Sequence, residues 1–183
     1  MPFTISNFRE KVIKDGGGFA RPNLFQVSIT AAPISTDVAS AFEFECKIAS
    51  IPTSTIGVIE VPYFGRQDKV PGNRTFDNLS LTVINDENFS VRNAIEGWMA
   101  TLNSHSTNVS AVFGDDLRGQ VVVKHYGTSG PTSNLGEWKF EGCFPVALGE
   151  IGLDWGSNDT AEEYTIDWAY DYWTHTNEGG LAP

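Results

Sequence analysis

Apolar and polar residues alternate along several stretches of this chain, and each such stretch predicts a half-buried β-strand. Phe25, Val27 and Ile29 share one side against Gln26 and Ser28. Phe42, Phe44, Cys46 and Ile48 oppose Glu43, Glu45 and Lys47, so residues 41–50 read as a strand with one charged face. Leu79–Asn85 alternates in the same way, and so does Glu137–Phe144, where Trp138, Phe140 and Phe144 fall together. The longest alternation comes near the end. Tyr164, Ile166, Trp168, Tyr170 and Tyr172 face one way, and Glu163, Thr165, Asp167, Ala169 and Asp171 the other. Val121–Tyr126 and a short run at Ile151, Leu153 and Trp155 complete a set of about seven strands. Pro145 is expected to end the strand before it.

Two stretches carry helical spacing instead. Val91, Ile95, Trp98, Met99 and Leu102 form an apolar stripe behind Ser90, a candidate N-cap, and that stripe must pack on a sheet. Ile5, Phe8, Val12 and Ile13 form a shorter stripe with Thr4 or Ser6 as cap, stopped by Asp15-Gly16-Gly17-Gly18. Residues 31–41, 104–120 and 127–136 read as loops, with Val112-Phe113 the only anchor in the second, and Pro71-Gly72-Asn73 as a turn. Pro52 and Pro62 withhold ladder donors, which puts residues 51–75 at a sheet edge or outside the sheet as an extended arm. The expected fold class is mainly β (α+β). It is a single domain over residues 1–183, a sandwich or barrel with one packed helix, a short N-terminal helix and a flexible tail at 174–183.

Charge narrows the classes of function. The chain has 23 acidic and 12 basic residues, a net charge of −11, which argues against binding nucleic acid through its phosphates. Two cysteines, Cys46 and Cys143, make no disulfide framework and no zinc spacing. Cys46, on the apolar side of its alternation, is expected to be a buried, inert thiol. His105, His125 and His175 are scattered, and no nucleophile elbow, phosphate-binding loop or dinucleotide fingerprint occurs. No catalytic, cofactor or metal site is therefore expected, and the chain is read as no enzyme. An N-terminus without an apolar signal core, and no run long enough to span a bilayer, point to synthesis in a reducing cytosol without membrane insertion. A carbohydrate-binding sandwich would explain the aromatics, but alternation assigns the tryptophans to the core.

Four blocks resemble one family. FARPNLFQVSI (19–29), PGNRTFDNLSLTVINDE (71–87), GEIGLDWGSND (149–159) and YTIDWAYDYW (164–173) are similar, in this order, to the tail tube proteins of contractile-tailed bacteriophages. The resemblance implies a structural subunit of the virion, assembled in the bacterial cytoplasm. Six copies would form a ring, inner strands of neighbours would merge into one barrel, and stacked rings would conduct DNA without binding it specifically. Implied partners are further copies, the tail sheath protein, baseplate tube-initiating proteins and a tape measure protein in the lumen. A baseplate initiator and a type VI secretion tube protein are the near alternatives. Within this frame the arm is expected to reach the adjacent ring through Arg66, Asp68, Lys69 and Arg74, whose mixed signs suit a register-specific contact. An acidic wall keeps DNA mobile where a basic one would hold it, so Glu43, Glu45, Asp167 and Asp171 are the expected lumen-lining residues.

Overall fold

The computed structural model describes residues 4–14, 18–31, 34–110 and 117–176, with the backbone alone at 131–133. Nine strands occur among them: β1 (Phe25–Ala31), β2 (Cys46–Ser50), β3 (Ser54–Tyr63), β4 (Arg66–Phe76), β5 (Leu79–Ile84), β6 (Gly119–Gly127), β7 (Gly130–Leu148), β8 (Glu163–Ala169) and β9 (Tyr172–Thr176). Three helices accompany them: α1 (Ile5–Phe8), which runs on as a wider π-helical turn over Arg9–Lys14, α2 (Thr36–Glu45) and α3 (Ser90–Leu102). All neighbouring strands pair antiparallel, in the order β1-β6-β7-β8-β5-β2, with β9 added on β7. Hairpin β3–β4 stands apart as a sheet of its own.

β7 belongs to two layers. Its first part pairs with β6 and β9, and Phe144–Leu148 pairs with β8. The corner between them lies at Gly142, where φ is +70° and an added Cβ would lie 2.5 Å from the Asp171 carboxylate. Only glycine takes that backbone without strain in that space. The mainly β expectation therefore holds, and the layers face each other as a sandwich. Val27, Val121, Val123 and Phe140 from one side and Leu79, Leu81, Val83, Tyr164, Ile166 and Trp168 from the other are buried together. α3 closes the core with Val91, Ile95 and Trp98, and Trp98 packs on Trp168 at a 5.5 Å ring separation. Trp98 also donates its indole N–H to the Leu117 carbonyl at 2.9 Å, so the expected α3 stripe is anchored by a polar contact as well.

Several local expectations are corrected. Residues 41–50 are not one strand: α2 (Thr36–Glu45) begins inside the stretch read as a loop and takes up the first half of the expected strand, and only Cys46–Ser50 is β2. Ser35 caps α2 by accepting the Val38 N–H, and one turn separates Val38 from the buried Phe42. Phe44 is 86% exposed, so the alternation there reported no sheet face. α3 is capped differently as well: Asp86 accepts both the N–H and the hydroxyl of Ser90, at 2.9 and 2.6 Å, and Ser90 is itself helical. The turn foreseen at Pro71-Gly72-Asn73 lies inside β4, and the chain reverses instead at Phe64-Gly65, both at positive φ. Pro145 does not end β7, because it sits beside a bulge facing β8 where its missing N–H breaks no ladder.

The reading of 127–136 as a flexible turn shrinks to residues 128–129. The Ile151–Trp155 run is irregular, and Leu153 and Trp155 are exposed. The last alternation breaks at Tyr170-Asp171 into β8 and β9, and Thr174–Thr176, assigned to a flexible tail, are in β9. Val112-Phe113 and residues 177–183 lie outside the described residues. Cys46 is half-buried rather than buried, yet desolvation pushes its thiol up to about 12, the inert behaviour expected of it.

Candidate functional site

Hairpin β3–β4 pairs with no other strand among the described residues and leaves a long surface open. From Thr55 to Pro71 every residue is exposed. Its root is fastened. Tyr170 donates its hydroxyl to the Asp77 carbonyl at 2.6 Å, and Phe76 lies 6.0 Å from the Tyr170 ring and 6.5 Å from that of Trp173. Thr53 donates its hydroxyl to the Asp77 carboxylate across the same root. Beyond the root the sequence supplies apolar residues on both faces of the ribbon. Ile59 pairs with Val70, Val61 with Asp68 and Tyr63 with Arg66, while Val58 pairs with Pro71. Tyr63 and Phe64 form an edge-to-face pair at the tip with rings 4.7 Å apart, and Phe64 is 92% exposed. An isolated two-stranded ribbon is marginal in water, and an exposed apolar band of this kind marks an interaction surface.

The four residues expected to make inter-ring contacts are all on this hairpin and all exposed. Lys69 lies 3.9 Å from Glu60 across the ladder, a loose surface pair worth little on its own. Arg66 and Arg74 have no ion pair among the described residues.

The four carboxylates expected along the lumen do not form two strand rows. Glu43 and Glu45 are on α2, not on a strand, and Glu43 accepts a hydrogen bond from Gln26 Nε2 at 3.0 Å. Glu45 ends α2. Desolvation, and then the Asp86 charge, hold its carboxyl above the ordinary range. Asp171 sits in the β8–β9 bend and pairs with Arg118 at 2.5 Å. Asp167 alone keeps its expected place, on the outward face of β8 opposite Ser80 of β5 and Ala147 of β7. That face carries Ser80, Thr82, Thr165 and Asp167. The outward face of the other layer carries Lys124 and Lys139 around Glu137, at 4.0 and 3.2 Å.

Sequence reasoning missed three surface features: the aromatic tip at Phe64, the Leu153–Trp155 crest, and Asp86 as the α3 cap. The first had a signal. Ile56–Tyr63 is apolar at odd and even positions alike, which a one-sided strand never needs. Among the described residues no group of three or more His, Cys, Asp or Glu is arranged to hold a metal ion, and no helix is long and apolar enough to cross a membrane.

The fold is that of the tube components of contractile injection systems. A chain of the sheath–tube complex of an extracellular contractile injection system in the extended state superposes with a TM-score of 0.61 at 17% identity, covering 96% of this chain and 99% of that one. A chain of the anti-feeding prophage baseplate gives 0.62 at 17% identity, over 87% and 96% of the two chains. Sequence carries the assignment further: residues 20–176 match the family model described as phage tail tube protein, and the chain belongs to that family. The tail tube protein gp19 of Enterobacteria phage T4 is 31% identical over 159 residues, 87% of this chain and 93% of that protein. The tail tube protein of Serratia phage KSP90 is 28% identical over 170 residues, 91% and 94% of the two. The resemblance read from the four blocks is thereby borne out, and the chain is a structural subunit of a phage tail tube. The carbohydrate-binding alternative gives way.

Proposed function

We propose that the chain closes into six-fold rings which stack into a hollow tube for DNA, with hairpin β3–β4 as the element that reaches the adjacent ring. The observation that carries this is the exposed ribbon itself. Ile56, Val58, Ile59, Val61, Tyr63, Phe64 and Val70 all face solvent on an element that touches its own body only at the root. Burying each would contribute roughly 1.5–3 kcal/mol, a term that one copy leaves unused and a neighbour can supply. Arg66, Asp68, Lys69 and Arg74 then set register, because a misplaced stack sets like charges against each other. Closing strands across neighbours would also remove the free edges of β1 and β2.

The lumen in this proposal is the outward face of the β5–β8 layer. Small hydroxyl side chains surround Asp167 there, and the Lys47 ammonium beside them is already paired with Glu163 at 2.5 Å, whereas the opposite layer carries two lysines around Glu137. Asp167 keeps its lumen role. Glu43, Glu45 and Asp171 are occupied by contacts within the subunit or set away from this face. The sheath, the baseplate initiators and a tape measure protein remain the partners, the first two in keeping with the assemblies in which the similar folds occur.

The test shortens the hairpin to a tight turn between Ile56 and Arg74, a pair already in register. Soluble rings that do not stack, seen by negative-stain microscopy, are the expected result. Normal tubes from that variant would overturn the role of the arm.

A further inference from the structure

The connection between β7 and β8, residues 149–162, is held rather than loose. Gly149 donates its N–H to the Thr165 carbonyl at 2.6 Å, and its own carbonyl accepts Arg92 Nη1 at 3.3 Å. At the other end Asn85 donates its N–H to the Glu162 carbonyl at 2.8 Å. Between these anchors Asp154 builds a turn, its carboxylate accepting the Gly156 N–H at 3.0 Å and its carbonyl the Ser157 N–H at 3.1 Å. The turn carries Trp155 and Leu153 into solvent, 102% and 84% exposed. Glu150, Asp154, Asp159 and Glu162 surround them with negative charge.

At the opposite end of the same strands lies an apolar cleft of about 380 Å³, lined by Pro22, Phe25, Ala49, Ile51, Val123 and Trp138. The placement follows from register. β5 runs from Leu79, beside Trp168 and next to the Ser80–Ser50 pair, to Ile84, beside Glu163, where the 149–162 connection ends. Ala49 and Ile51 are at the first end and Trp155 is beyond the second. Arg21 stands next to the cleft. Its carbonyl is within 2.8 Å of His125 Nε2, and its guanidinium has no ion pair among the described residues.

We propose that Trp155 and Leu153 of one copy seat in the Phe25–Ile51–Trp138 cleft of a second copy, with Asp154 meeting Arg21. This rests on the tube reading and names a pair of surfaces for it that is separate from the hairpin. The two surfaces lie at opposite ends of the body, so a copy cannot satisfy its own knob with its own cleft. The contact is head-to-tail and repeats with each added copy, as a growing assembly requires. Indole in an apolar cleft, ringed by opposite charges, is the pattern of an interface anchor. The acidic knob and the basic rim also exclude the reversed docking of knob on knob.

Full-length chains carrying Trp155→Cys and Ile51→Cys, each in a Cys46→Ala background, are mixed, assembled and oxidised. An intermolecular disulfide that needs both variants is expected. Trp155→Ala is expected to raise the protein concentration needed for tube growth about tenfold or more, with an unchanged melting curve. Arg21→Glu should do the same, and Arg21→Glu with Asp154→Arg should restore growth. Assembled tubes without the cross-link, or wild-type growth of Trp155→Ala, overturn the pairing and leave the tube reading intact. Cross-linking of Ile51→Cys to Phe64→Cys instead would give the cleft to the hairpin and also overturn it. A wild-type chain that never assembles overturns both.

Discussion

The sandwich body and the β3–β4 hairpin are built from the same kinds of residue and put them to opposite use. In β5 the apolar Leu79, Leu81 and Val83 are completely buried and the residues between them are half-exposed. In β3 the apolar Val58, Ile59 and Val61 are all exposed. β-propensity and hydrophobicity alone do not tell these strands apart. What differs is the company. β5 lies between β2 and β8 under a helix, while β3 has one neighbour and no second layer. The body carries its own stability, and the hairpin carries an exposed apolar surface that, in the proposed stack, a neighbouring copy covers.

That contrast can be broken from the body side with the largest effect. Trp168→Ala removes a completely buried indole packed on Trp98 and should cost about 3–5 kcal/mol, read as a large drop in the urea midpoint. Gly142→Ala should cost about 1–3 kcal/mol, because the positive φ and the Asp171 carboxylate both resist a side chain. Exchanging Ile59, Val61 and Val70 together for threonine should leave the stability of the unassembled chain within about 0.5 kcal/mol and abolish stacking. A clear loss of body stability in that variant would erase the distinction between the two regions.

The finest probe is pH at the Glu45–Asp86 pair. Glu45 is raised, chiefly by desolvation, so the folded state binds its proton more tightly than the unfolded chain does. Its ionised form therefore opposes folding above the ordinary glutamate range, and Glu45→Gln should raise the melting temperature slightly at neutral pH. The gain should vanish as pH falls below that range. Asp86 is lowered, chiefly by the hydrogen bond from the Ser90 side chain, so its contribution runs the other way. It is present above the unfolded pKa and is lost as pH falls through the lower folded value, so Asp86→Asn should destabilise at neutral pH and become neutral in acid.

Strands with one buried face were legible in the sequence because period-2 burial leaves a period-2 pattern: Leu79–Ile84 was readable almost to the residue, and β8 from its start at Glu163, though the alternation ran on past its end at Ala169 into β9. α2 was not, since Phe42, Phe44 and Cys46 imitate alternation over a span that a helix end and a strand start share. Nor was the long reach of β7, whose bend at Gly142 packs against Asp171, distant in sequence. The projecting arm was legible from Pro52 and Pro62, but its turn was misplaced because Gly72 signalled a reversal that Phe64-Gly65 makes instead. The lumen row failed at Glu43 and Glu45 for the same reason that α2 was missed. Trp155 was invisible as a surface knob, because only the tertiary fold distinguishes an exposed tryptophan from a core one.

The double membership of β7 also governs the order in which a nascent chain becomes structure. Neither layer is complete until β8 and β9 pair with β7, and β9 runs to Thr176. The body therefore cannot close until the chain as far as Thr176 has left the ribosome. Hairpin β3–β4 pairs only within itself, so its ladder can begin to form from Phe76 onward, while its root contacts with Tyr170 and Trp173 wait for the body. For much of synthesis the exposed ribbon can therefore form without the body that presents it.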